Sequence, residues 1–217
     1  MGHIRLGTLQ RSKKWRDVIE LLDSDADVET IAEAAARASE LDLKRASDDP
    51  FFQSVTQLLV RLPLLARAPG FEAEMAELGL PPEALNSVTG LLAGLNAAIN
   101  QRAFDQDHSS DAGELARTAL LESLSVQLRD KLPTLFEPTP QEVRNALASF
   151  SGGQEFSTLA RDFFARLSYR SLDYYLSREL ADHIGADKRF GNDGDRVAFE
   201  TALRQHTFEA SKIIETF

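Results

Sequence analysis

From Trp15 onward, apolar residues return every three or four positions, the spacing of a helix with one buried face. Trp15, Val18, Ile19 and Leu22 predict a short amphipathic helix ending near Asp23. Ser24 and Asp27 are of the type that caps the next helix, whose face is Val28, Ile31, Ala35, Ala38 and Leu41. Asp49-Pro50 pairs a capping side chain with a proline at the first helical position. The stripe Phe51, Val55, Leu58, Leu59 and Leu62 follows, and Pro63 is expected to break or kink it.

A short helix over 71–78 should end at Gly79, and a single helix should start near Pro81-Pro82 and run past Ile99. Gly90 and Gly94, four apart in it, suit close backbone packing. Asp111 with Glu114 reads as the cap of a helix through Leu128. Thr139-Pro140-Gln141-Glu142 carries every part of a capping box.

Residues 154–184 run without glycine or proline and hold all three tyrosines. Their stripe Phe156, Leu159, Phe163, Leu167 continues as Leu172, Leu176, Leu180, Ile184 with an offset of one residue. The offset predicts a bend near Ser168–Ser171 or a gradual rotation of the buried face. A final helix should run from about Asp195 toward Phe217. Before Trp15, Ile4 and Leu6 alternate across residues 3–9, so the chain opens on an extended arm or short strand.

The fold class is therefore all-α: a globular bundle of about nine helices with a short extended N-terminal arm and little or no β. Residues 1–217 read as one domain. The polar stretch 105–111 is the place where two helical subdomains, 1–104 and 112–217, would join.

Composition narrows the function more than it names it. The chain is 43% hydrophobic and 27% charged, the balance of a folded protein. Its net charge of −10 opposes a whole-surface attraction to nucleic acid. With no cysteine it has neither thiolate chemistry nor a disulfide. It lacks a membrane-length apolar run, and the composition suggests a cytoplasmic, bacterial protein. No cofactor motif is present. Asp193-Gly194-Asp195 with Glu200 resembles part of a calcium loop, but Arg189 and Gly191 stand at two ligand positions, leaving acids that suit a helix cap.

Three functional readings remain. The leading one is a non-enzymatic interaction or assembly subunit that binds a protein partner or itself through helix faces. Its candidate contact residues are the row Arg166, Tyr169, Arg170, Tyr174 and Arg178, with Phe199, Leu203, His206, Ile213 and Phe217 on the last helix. The second is a helical enzyme with a metal held by Glu179, His183, His206 and Glu209, if two antiparallel helices bring those pairs together. The third, less favoured, is nucleic-acid or acidic-partner binding by Arg5, Arg11, Lys13, Lys14 and Arg16.

Overall fold

A computed structural model describes the backbone of residues 3–4, 13–105, 109–132 and 138–212, with side chains throughout except at 3–4, 41–43 and 178. Among the described residues there are nine α-helices, one short 3₁₀ helix and one two-residue strand pair. The helices are α1 (Lys13–Asp23), α2 (Val28–Ser47), α3 (Pro50–Arg67), α4 (Phe71–Glu77) and α5 (Val88–Asp105). After them come α6 (Asp111–Lys131), α7 (Pro140–Ser149), α8 (Gly153–Asp182) and α9 (Asp193–Ala210). The chain is all-α, and the start of its N-terminal arm is a strand: β1 (His3–Ile4) pairs in parallel with β2 (Ser109–Ser110).

The helices bury two separate apolar clusters. The larger joins α3 to α7 with the first half of α8, through Leu159, Phe163 and Leu167. The smaller joins α1, α2 and α9 with the second half of α8, through Leu172, Tyr175, Leu176 and Leu180. This explains the offset stripe of α8. Its buried face rotates because each half serves a different core, and the helix runs unbroken for 30 residues, about 45 Å at 1.5 Å per residue. The polar stretch at 105–111 does not divide the cores, since α5 and α6 on either side share the larger one.

Several local expectations are corrected. Pro63 neither ends nor divides α3, which continues to Arg67. Pro63 is buried in the larger core's face, where packing outweighs the missing N–H. The expected single helix from Pro82 is instead a 3₁₀ turn (Pro82–Asn86), an extended Ser87 and then α5. Gly90 and Gly94 let that 3₁₀ turn lie flat on α5, because a Cβ at either would come within 2.9 Å of Ala84. The cap of α6 is Ser110, whose Oγ accepts from Gly113 N, and not Asp111. Asn192 caps α9, leaving Asp193 and Asp195 in its first turn. The capping box of α7 forms as expected, with Thr139 and Glu142 bonded in both directions.

Two arginines fasten helix ends across the fold. Arg144 of α7 donates to Ala66 O and Ala68 O at the end of α3, at 3.0 and 2.7 Å. In the smaller core Arg189 donates to Leu22 O and Ala26 O, at 3.3 and 2.5 Å, and lies 5.1 Å over the Phe199 ring. These carbonyls belong to the α1–α2 turn, where Asp25 is held at φ 55. Burial depresses the Arg189 pKa, opposed by the charges of Asp25 and Asp27. Helix-end carbonyls have no intrahelical donor, so removing this guanidinium strands them. Arg189→Ala is expected to cost about 2–4 kcal/mol in urea unfolding, and Arg189→Lys to recover only part of it.

Candidate functional site

The Arg/Tyr row of α8 faces α6 within the same chain. Arg166 Nε bonds Asp162 at 2.8 Å and its Nη1 approaches Glu122 to 3.5 Å. Arg170 bonds the same Glu122, and Tyr174 O–H donates to Asp111 Oδ2 at 2.7 Å. The order along each helix is opposite, so the row forms an antiparallel joint between α6 and α8. Arg166, Arg170 and Tyr174 thus each have an acidic partner within the chain, while Arg170 Nε is buried with none among the described residues. The Arg178 side chain lies outside the described residues.

Tyr169 is directed toward α9 instead. Burial raises its phenol pKa, helped by the charges of Asp173 and Glu200. Burial also raises Asp173, and the Glu200 carboxylate adds to the shift, while Arg170 and Arg196 oppose it. A raised carboxyl pKa means that the folded chain holds this proton more tightly than the unfolded chain. Stability linked to Asp173 is therefore full below its ordinary range and lost as pH rises through the raised value. Asp173→Asn is expected to raise the melting temperature at pH 7–8 by about 2–4 °C, and the gain should vanish below about pH 4.

The seam of α9 docks on its own chain. Phe199 and Leu203 are buried in the smaller core, with Phe199 5.5 Å from Phe190, so neither is available to another chain. Thr207 takes the next buried position, and His206 beside it is only half-buried. Ile213 and Phe217 lie outside the described residues.

The four proposed metal ligands are not brought together. His183 contacts Glu179 O at 2.7 Å and Asp23 Oδ1 at 3.0 Å, tying the end of α8 to α1. His206 lies near Phe164 and Ser168, some four helical turns away along α8, or about 22 Å. Among the described residues no group of three His, Asp or Glu could hold a metal ion.

The basic segment is also divided. Lys13, Lys14 and Arg16 belong to α1, not to an extended arm, and Trp15 between them is buried 5.0 Å from Tyr175. Lys14 donates to Arg37 O at 3.0 Å, while Lys13 and Arg16 are exposed. Arg5 and Arg11 lie outside the described residues.

The structure also holds an open groove of about 620 Å³ between α2, α8 and α9. Ala32 and Ala36 of α2 face Phe164 and Leu172 of α8, with His206 and Ala210 of α9 closing the third side. The groove exists because α2 and α9 present side chains too short to fill the space that Leu172 and Phe164 leave. Ser39, Thr207 and Ser211 turn their hydroxyls back to their own helices. Ser171, 5% exposed, and the exposed Ser168 also line the groove, and neither hydroxyl makes such a bond among the described residues. Glu29 and His206 line it with no partner there either. The alanine spacing at 32 and 36 was the available sign of the groove, yet small residues equally predict close helix contact.

Among the described residues no helix is long and apolar enough to cross a membrane. Comparison with protein-family models, curated proteins and solved structures finds no match.

Proposed function

We propose that the chain is a non-enzymatic interaction subunit that receives an apolar segment of a protein partner, or of another copy, in the α2/α8/α9 groove. The groove itself carries this reading. Its volume of about 620 Å³ falls in the range of built binding sites, its lining is mainly apolar, and a few polar groups converge on it. Phe164 stands at its edge 36% exposed, an aromatic side chain of the kind that anchors contacts.

A photo-cross-linking residue in place of Phe164 should form an adduct with a protein chain in cells. Filling the groove by Ala36→Trp should abolish that adduct while leaving the melting temperature within about 2 °C, because Ala36 is exposed and outside both cores. Equal adducts with the groove filled would show that contact lies elsewhere and defeat the reading.

A further inference from the structure

From the groove's unpaired polar groups we infer the chemistry of its occupant: the apolar face of a helix that carries a lysine or arginine next to its anchoring residues. This rests on the protein-partner reading above. Glu29, in the first turn of α2, lines the groove without a cation, whereas Glu33 one turn later is paired with Arg37 at 3.1 Å. Ser171 and Ser168 present hydroxyls on the groove wall free of the intrahelical bond that Ser39, Thr207 and Ser211 make.

An occupant made only of hydrocarbon would shut the Ser171 hydroxyl away from water without a partner, which is unfavourable, and would leave the exposed Glu29 carboxylate without a counter-charge. An acidic occupant would add like charge beside Glu29 and Glu33. An ammonium or guanidinium group supplies only donors, matching a carboxylate and a hydroxyl that accept. The chain's net charge of −10 further favours encounter with a basic segment. Ala32, Ala36 and Leu172 then receive the anchoring side chains, the arrangement of a helix laid in a groove.

Two fluorescently labelled helical peptides test this. They share a leucine stripe and differ only in having Lys or Glu beside it. By fluorescence anisotropy the Lys peptide should bind about fivefold more tightly at low salt, a gap that closes as salt is raised. Glu29→Gln should erase the preference, and Ala36→Trp should abolish binding of both. Equal affinities that are lost on Ala36→Trp overturn the charge inference but leave the groove reading standing. No Ala36→Trp-sensitive binding of either peptide overturns the groove reading and this inference with it. Binding that appears only when the chain is cut after Lys212 assigns the groove to the chain's own end and also overturns the inference.

Discussion

Gly113→Ala is expected to destabilise the folded chain by about 3 kcal/mol or more, measured by urea unfolding. Helix propensity alone predicts the opposite sign, since alanine is favoured over glycine within a helix by about 1 kcal/mol. The tertiary contact decides. A Cβ on Gly113 would lie 2.1 Å from Phe51 Cδ1, far inside van der Waals contact. Phe51 is only 2% exposed and belongs to the larger core, so its ring has no free space to enter. Relief requires α6 to move off α3, opening the joint between two of the most extensively packed helices. Gly153 is the internal control. A Cβ there meets nothing within 4 Å, so Gly153→Ala should stabilise by about 0.5–1 kcal/mol. If both substitutions stabilise, the close approach of α6 to Phe51 is refuted.

The second large effect is expected at Asp49, beside the same contact. Asp49 Oδ1 accepts from Phe52 N at 2.7 Å, capping α3, and also from the Ser110 hydroxyl at 2.9 Å. Ser110 Oγ in turn accepts from Gly113 N at 3.0 Å, capping α6. One short chain of hydrogen bonds therefore closes two helix N-termini that are 61 residues apart in sequence. Asp49 and Ser110 are both buried, at 8% and 1% exposure. Asp49→Ala removes a helix cap and strands the Ser110 hydroxyl away from water, for an expected loss of about 3 kcal/mol. Ser110→Ala should cost about 2 kcal/mol, and the double substitution less than the sum, since both interrupt one network. Strictly additive losses would show that the two caps act independently.

This knot shows how far local pattern reaches. Asp49-Pro50 and the Thr139–Glu142 box were legible because a cap satisfies its own helix within three residues. Ser110 was not distinguishable from Asp111, because both are capping residues. The choice turns on a partner 61 residues away. For a related reason Pro63 does not break α3: its local cost is certain, but the packing that offsets it comes from elsewhere in the fold.

The candidate site was less legible still. The Arg166–Tyr174 row was visible as a helix face, but its acidic partners Glu122 and Asp111 lie on α6, so spacing along α8 could not tell an internal joint from an exposed surface. Spacing puts His206 in a buried seam; Thr207, about 100° further round the helix, takes that position instead and leaves the imidazole in the groove.

The amino-acid sequence by itself determined the all-α class, most helix positions, the caps at Asp27, Asp49 and Thr139, and the offset stripe of α8. Each depends on interactions within a few residues, where helical periodicity and capping chemistry act. Only the tertiary structure decided that α8 serves two cores, that Phe199 and Leu203 are spent inside one of them, and that α2, α8 and α9 leave a groove. Periodicity identifies a buried face but not what covers it. A space between three helices is set by side chains distant in sequence, and Ala32 or Ser171 alone gives no sign of the distance to the opposite wall.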